Sequence, residues 1–126
     1  MSEDKTYPYE TRLNILFQQG EVVEVGALAK ACAFKWYNQT LCKVNDSVVR
    51  LGVIEGEYHW HQHEDADEFF YVVEGKLLID LPDGQIVELA PGQGIVVPRK
   101  VMHRTRAPER TVILMVENAG IVPEGD

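Results

Sequence analysis

Basic side chains are scarce in this sequence, which has 12 lysine and arginine residues against 20 aspartate and glutamate residues and a formal net charge of −8. A surface that binds nucleic acid needs a basic footprint to neutralise phosphates. We therefore expect no nucleic-acid partner. The basic residues at positions 99, 100, 104, 106 and 110 form one local cluster. We expect that cluster to make surface ion pairs or a subunit contact.

Long apolar runs and cysteines are also rare. The longest apolar runs, residues 94–98 and 112–116, are far shorter than a membrane-spanning helix. The N-terminus is charged and lacks the apolar segment of a secretory signal. Without an export signal, the two cysteines, Cys32 and Cys42, are expected to be free thiols in a reducing compartment. These absences predict a cytoplasmic protein with no membrane partner.

What is present has the composition of one globular domain, with 126 residues of which 45% are hydrophobic and 25% charged. From residue 36 onward, short apolar segments alternate with glycine and proline turns, which is typical of an antiparallel β-sandwich or barrel. Asp83-Gly84 between two apolar segments predicts a hairpin. The predicted strands cover residues 36–44, 47–54, 58–63, 68–74, 76–81, 85–89, 94–97, 101–106 and 111–117.

The first 35 residues have a different pattern. We predict an N-terminal arm there, with short strands at 13–17 and 22–25 and a short helix at 27–34, where alanines and other good helix formers follow one another. The first dozen residues are expected to be mobile or bound to a partner. The predicted organisation is this arm (1–35), a β-barrel (36–120) and a C-terminal tail (121–126).

Three of the four histidines stand at alternate positions, His59, His61 and His63. Alternate residues of a strand point to the same side of a sheet, so an extended segment would place the three imidazoles on one face. This arrangement has three interpretations: a metal site, a pH-sensitive patch, or chance.

Glu68 begins the segment EFFYVVE and shares a face with Phe70 and Val72. A carboxylate on an apolar face is costly unless an ion or another group compensates it, or unless it lies at an exposed strand end. The fourth histidine, His103, lies in a second predicted strand. A single histidine on a mixed face is usually packed or solvated, so only its combination with the other groups indicates a site.

Taken together, two motifs resemble those of the cupin superfamily. The first motif of that family contains a His-x-His, then a glutamate, then a glycine, and is matched by His61, His63, Glu68 and Gly75. The second contains glycine, proline and histidine at fixed spacing, and is matched by Gly92, Pro98 and His103. The short spacing between the motifs is similar to that of compact, single-domain microbial cupins of the mannose-6-phosphate-isomerase-like type.

The sequence departs from the family pattern at three positions. Gly56 lies one residue closer to the His-x-His than the pattern has it, Lys100 replaces a glycine, and Ala107 replaces an asparagine. None of these departures removes a ligand type. They bear on turn geometry and on the subfamily.

The resemblance implies an all-β, antiparallel double-stranded β-helix, which is the jelly-roll barrel of cupins, with a short N-terminal helix. It implies one divalent metal ion, Fe, Mn, Ni, Co or Zn, held by His61, His63, Glu68 and His103. Three neutral imidazoles and one carboxylate would leave the ion a net charge of +1 and, if six-coordinate, about two open positions. His59, Phe70 and Val72 are expected to line the pocket beside it, although His59 is equally well interpreted as a solvated residue.

Two functions are consistent with this site. The first is a metalloenzyme, of the dioxygenase or isomerase type, that acts on a small, metal-chelating and possibly anionic substrate. The second is a non-catalytic module that binds a metal or a ligand as a sensor or store. The resemblance further implies a homodimer, and strands that are apolar on both faces, such as 111–117, agree with it because they need cover on both sides.

Overall fold

The structure of the protein, a computed structural model, describes residues 8–123 and residue 125. Strands account for 50% of the residues and helix for 9%, which confirms the predicted all-β fold. In chain order the elements are β1 (Glu10–Arg12), α1 (Val25–Ala31), β2 (Trp36–Val44), β3 (Ser47–Glu57), β4 (Glu68–Glu74), β5 (Leu77–Asp80), β6 (Ile86–Leu89), β7 (Gly94–Val97) and β8 (Arg104–Asn118).

The long strand β8 organises the sheets. Its C-terminal part pairs with β3 on one side and β4 on the other, and β1, β2 and β7 extend this sheet in the order β1-β2-β3-β8-β4-β7. Its N-terminal part pairs with β5, which in turn pairs with β6. All these pairings are antiparallel except that of β1 with β2. One strand is therefore shared by both parts of the barrel.

The continuity of β8 corrects one prediction. The sequence pattern divided this region into strands at 101–106 and 111–117, with Pro108 between them. In the structure the strand runs through Pro108. The register of β8 against β3 shifts between Ile54 and Gly56, opposite the proline. A bulge tolerates the missing N–H of proline, so the residue marks an irregularity in the strand and not its end.

The sheet buries one apolar cluster on each face. The inner cluster fills the barrel and includes Phe70, Val72, Ile79 and Ile113. The outer cluster lies where helix α1 and the segment before it cover the β2-β3-β8 side of the sheet; its members include Ala29, Leu41, Leu51, Val53 and Val112. Alternation along β8 sends Ile113 inward and Val112 outward, as the period of two requires.

The N-terminal region differs from the prediction in its details. No strand forms at 13–17 or 22–25, and the helix covers Val25–Ala31 instead of 27–34. The Phe17 N–H donates to the Leu41 carbonyl, but the side chains of Phe17 and Val23 pack against the outer cluster without forming a ladder. The apolar residues of this segment therefore pack their side chains on the face of the sheet, and the segment does not join the sheet as a strand.

The predicted hairpin at Asp83-Gly84 is confirmed, since β5 and β6 pair with Asp80 opposite Ile86. Cys32 and Cys42 are free thiols. Within the described part of the chain, no helix is long and apolar enough to cross a membrane. Residues 1–7 of the predicted arm, and residues 124 and 126 of the predicted tail, lie outside the described residues.

Candidate metal centre

The histidine-rich segment follows β3 as an interrupted strand. The Tyr58 N–H donates to the Thr105 carbonyl, and His61 and His103 then exchange both backbone hydrogen bonds, at 2.9 and 2.8 Å. The predicted strand at 58–63 is therefore reduced to a single bridge between His61 and His103. The irregular spacing turns Trp60 outward, 44% exposed, while His61 and His63 are buried.

Four side chains converge inside the barrel mouth. Glu68 is the first residue of β4, and its Oε1 lies 3.3 Å from His63 Nε2 and 3.7 Å from His103 Nε2. The rings of His61 and His103 have their centroids 4.3 Å apart. One ligand atom from each of these four residues lies within 4.8 Å of the other three. The structure thus brings together His61, His63, Glu68 and His103 in a buried group that could hold a metal ion.

Backbone carbonyls orient two of the imidazoles. His61 Nδ1 lies 3.1 Å from the His59 carbonyl oxygen, and His103 Nδ1 lies 2.9 Å from that of Val101. A carbonyl can only accept, so each Nδ1 carries the proton and donates it. The lone pair of each ring is then on Nε2, and that atom of His103 lies 3.7 Å from Glu68 Oε1. Fixing the tautomer in this way is what metal-binding histidines require.

The surroundings of His61 and Glu68 shift the pKa of each. Desolvation, followed by the nearby His103, lowers the pKa of His61 to about 4, so its imidazole is neutral at pH 7. Burial alone would raise the pKa of the Glu68 carboxyl, but the neighbouring His103, His63 and Glu117 side chains outweigh it and hold that pKa below its usual range. Neutral imidazole and ionised carboxylate are the forms that bind metals.

The unsatisfied atoms of the group fit an ion. Neither Glu68 Oε1 nor His103 Nε2 has a hydrogen-bond partner among the described residues, although both are buried. Such orphaned atoms are costly inside a protein unless something occupies the space between them. With metal bonds of about 2.0–2.2 Å, two ligand atoms on opposite sides of an ion are about 4.2 Å apart. The four ligand atoms here lie within 4.8 Å of one another. Side-chain movements of a few tenths of an ångström would therefore bring them to bonding distance.

A small cavity adjoins this group. His61 and Glu68 form one side of it, and aromatic and aliphatic side chains form most of the rest. Its volume is about 30 Å³, and Pro123 of the C-terminal segment contributes to its wall. Asn38 is 8% exposed, and its Oδ1 has no hydrogen-bond partner in the described structure. The other lining residues include Trp36, Ile54, Tyr58, Phe70, Thr105, Ile113 and Met115.

The three predicted pocket residues lie in different places. Phe70 lines the cavity. Val72 is fully buried in the inner cluster, one inward position further along β4. His59 is half-buried and stacks on Tyr58, with the ring centroids 4.5 Å apart, and its Nδ1 lies 3.4 Å from the Tyr9 hydroxyl. His59 thus belongs to an aromatic cluster beside the four converging side chains.

In an unbroken strand, Tyr58 would face away from His59, His61 and His63. It is instead buried and lines the cavity, since the break in the strand between Tyr58 and His61 changes the alternation.

The basic cluster contains the ion pairs that its sequence indicated. Arg104 and Arg106 both bond to Asp80, at 2.8 Å in each case, on the outside of the barrel.

The departure from the family pattern at Lys100 leaves the turn intact. Lys100 has a φ of 64°, the left-handed conformation that glycine adopts most easily. Its N–H donates to the His63 carbonyl at 2.7 Å, which ties the second motif to the first. A lysine therefore occupies a glycine conformation at this position, and the backbone contact it makes supports the site.

Sequence reasoning missed an ion pair beside the centre. Arg50 and Glu117 are joined at 2.8 Å, with side chains only 3% and 1% exposed. Glu117 lies directly opposite Glu68 across the β4–β8 pairing. The inner face of β8 presents Ile113, Met115 and Glu117. Glu117 is therefore, like Glu68, a carboxylate on an apolar strand face, which is a pattern visible in the sequence.

Comparisons with known proteins agree with this architecture. The family model described as Cupin domain matches residues 47–117, the range that contains all four converging side chains. A crystal structure of a cupin-2 domain containing protein from Shewanella frigidimarina superposes with a TM-score of 0.73 at 33% identity, covering 77% of this chain and 94% of the other. These similarities confirm the double-stranded β-helix expected from the sequence.

Two curated proteins are similar in sequence. The uncharacterized protein YdbB of Bacillus subtilis is 45% identical over 92 residues, which are 73% of this chain and 81% of that protein. Polyketide synthase CurC of Streptomyces cyaneus is 46% identical over 46 residues, which are 36% of this chain and 29% of that protein. The first similarity extends over most of both chains, and the second covers a short part of each.

Proposed function

The chain belongs to the cupin family, and on that basis we propose that it binds one divalent metal ion through His61, His63, Glu68 and His103. The observation that carries the proposal is the convergence of these four buried side chains, with Glu68 Oε1 and His103 Nε2 lacking hydrogen-bond partners among the described residues. Three imidazoles and one carboxylate suit Fe(II), Mn(II), Ni(II), Co(II) or Zn(II).

The proposed role of the site is a metalloenzyme of the dioxygenase or isomerase type, acting on a small chelating substrate. A bound divalent ion supplies Lewis acidity and open coordination positions, and its net charge of +1 within this ligand set favours anionic or enolisable groups. Phe70, Met115 and Trp36 give the adjoining cavity apolar walls. Asn38 Oδ1 is placed to accept a hydrogen bond and so to orient what enters.

The subtype is a narrower proposal. The spacing of the two motifs supports the mannose-6-phosphate-isomerase-like group of single-domain cupins, which is a statement about fold and not about activity. The short similarity to polyketide synthase CurC supports including β-diketones among candidate substrates, since their enolates chelate divalent ions. We further propose a homodimer and a cytoplasmic location.

A non-catalytic binding module is the second candidate. One observation favours it: among the described residues that line the cavity, Glu68 is the only carboxylate, and no lysine or cysteine joins it. A reaction that moves protons would then depend on the metal ligands themselves or on a tyrosine, Tyr37 or Tyr58. A module that only holds a metal or a ligand needs no such group.

Metal content tests the site. The purified protein, reconstituted with each candidate ion and then desalted, is expected to retain about one equivalent per chain by elemental analysis, and His61→Ala and His103→Ala are expected to lose it. His59→Ala is the matched control, because His59 lies in the same segment but points into the aromatic cluster. Wild-type protein that retains no ion after reconstitution would refute the site.

Turnover separates the two candidates. The Fe(II)-loaded protein is assayed in an oxygen electrode against β-diketones, flavonols, thiols and aromatic diols, with binding of each compound measured in parallel. Metal-dependent oxygen uptake, absent from His103→Ala, supports the enzyme. Binding without oxygen uptake or any change in the compound supports the module.

A further inference from the structure

Glu68 and Glu117 place two carboxylates face to face inside the barrel. They are cross-strand partners on β4 and β8, and both residues are buried, at 5% and 3% exposure. Directly opposed like charges repel, and an uncompensated buried charge destabilises the fold. The two acids therefore require compensation within the fold.

Arg50 compensates one of the two. Its Nε lies 2.8 Å from Glu117 Oε1, and its Nη2 donates to the Ile121 carbonyl at 3.4 Å. Arg50 is on the inner face of β3, opposite Met115 and therefore diagonal to Glu117 on β8. The guanidinium therefore pairs with Glu117, and the Glu68 carboxyl has its closest charged or polar neighbours elsewhere, among the histidines.

The Glu68 carboxyl is turned toward the histidines. Glu68 Oε1 faces His63 and His103, whereas Arg50 is in contact with Glu117. The Glu117 side chain contacts the Glu68 carboxyl and is itself held by Arg50. It stands behind Glu68, in the position of the groups that fix metal-binding carboxylates.

On the basis of the proposed metal function, we propose that Arg50 and Glu117 are positioning residues that hold the Glu68 carboxylate toward the ion. Their pairing sets the orientation of Glu68 across the β4–β8 contact. A purely structural ion pair would make a different prediction, because a buried pair can often be replaced by apolar residues of similar size with no loss of stability.

The double variant Arg50→Met/Glu117→Leu distinguishes the two roles. We expect its metal-free form to melt at or above the wild-type temperature. We expect its affinity for Co(II), measured by competition with a chelator, to fall by about 10- to 100-fold, the usual effect of removing a group that orients a ligand. The visible absorption of bound Co(II) should also shift, since that spectrum reports ligand geometry.

Two further variants complete the test. Glu117→Gln keeps the hydrogen-bonding shape but leaves Arg50 without its counter-ion, and should weaken Co(II) binding in the same direction. Asp80→Asn removes a carboxylate from an arginine pair on the outside of the barrel and should leave Co(II) affinity and spectrum unchanged.

Wild-type Co(II) affinity and spectrum in the double variant would overturn the proposed positioning role while leaving the metal site in place. A wild-type protein that binds no Co(II) would overturn the metal function itself. If the double variant fails to fold, Glu117→Asp decides: a shortened side chain that keeps its charge should lower Co(II) affinity, and unchanged affinity would refute the role.

Discussion

The two motif glycines, Gly75 and Gly92, have similar conformations but different surroundings. Their φ angles are 91° and 85°, in the region that side chains disfavour. A Cβ on Gly75 would lie 2.5 Å from Thr111 Oγ1 and 2.8 Å from the Arg110 carbonyl oxygen, whereas a Cβ on Gly92 would have no neighbour within 4 Å. Gly75 is therefore needed both for its positive φ and because a side chain has no room there, whereas Gly92 is needed for its positive φ alone.

Alanine substitutions should separate these two requirements. We expect Gly92→Ala to lower the free energy of unfolding by about 1 kcal/mol, the cost of a left-handed residue. Gly75→Ala should lower it by about 3 kcal/mol, because the backbone of β8 must also move. Urea denaturation with an unchanged m-value measures both. Equal losses would show that the contact with Thr111 is relieved without cost.

The residue types in the sequence indicated the candidate ligands, but not the contacts that orient them. His61, His63, Glu68 and His103 could be predicted because few residue types bind metals and their spacing is characteristic. The bulges and bridges that orient them depend on contacts between distant segments, such as the Lys100 N–H with the His63 carbonyl. Glu117 was within reach of sequence reasoning, whereas its partner Arg50 needed the strand register.

At the scale of elements, Asp80 ties β5 to the N-terminal part of β8. Hydrogen bonds from Arg106, then from Arg104, hold the pKa of the Asp80 carboxyl below its usual value of 3.8. In the unfolded chain this carboxyl takes up a proton at a higher pH than in the folded protein. The stabilisation is therefore fully present above pH of about 4 and is lost as the pH falls through the lowered folded pKa.

Asp80→Asn should therefore have a pH-dependent effect. At pH 7 we expect it to lower the free energy of unfolding by about 1 kcal/mol, because the two arginines are partly exposed and screened by solvent. The difference from wild type should shrink as the pH is lowered from 4 toward 2. Urea denaturation across this range measures it, and a difference that stays constant would contradict the ion-pair explanation.

Element boundaries were predictable where local chemistry sets them. The strands at 68–74 and 94–97 agree with β4 and β7 because turn residues flank an apolar segment on both sides. The strand break predicted at Pro108 was wrong because the effect of a proline depends on the facing strand. At the bulge opposite β3 the proline is tolerated, and β8 continues. The segments 13–17 and 22–25 have strand composition but form no ladder, because their apolar side chains pack on the outer cluster instead.

At the scale of the molecule, one apolar face remains partly uncovered. On the outer side of the sheet, Phe69 lies between Val96 on β7 and Val116 on β8, with Tyr71 in the next outer row. Tyr71, Val96 and Val116 are 37%, 53% and 36% exposed. This face continues the outer cluster beneath helix α1. The sequence indicated strands that are apolar on both sides, and residues 8–123 cover only part of that surface.

A second copy of the chain is the cover we propose, because an apolar face can pair with its own copy about a two-fold axis. We expect wild-type protein to sediment at about twice the chain mass of 14.3 kDa. Val96→Arg should yield monomers, because a charge would be buried at the centre of the contact. Ile86→Arg is the control: it is equally exposed, at 55%, but lies on β6 in the other part of the barrel. A monomeric wild type, or equal effects of the two substitutions, would contradict a dimer through this face.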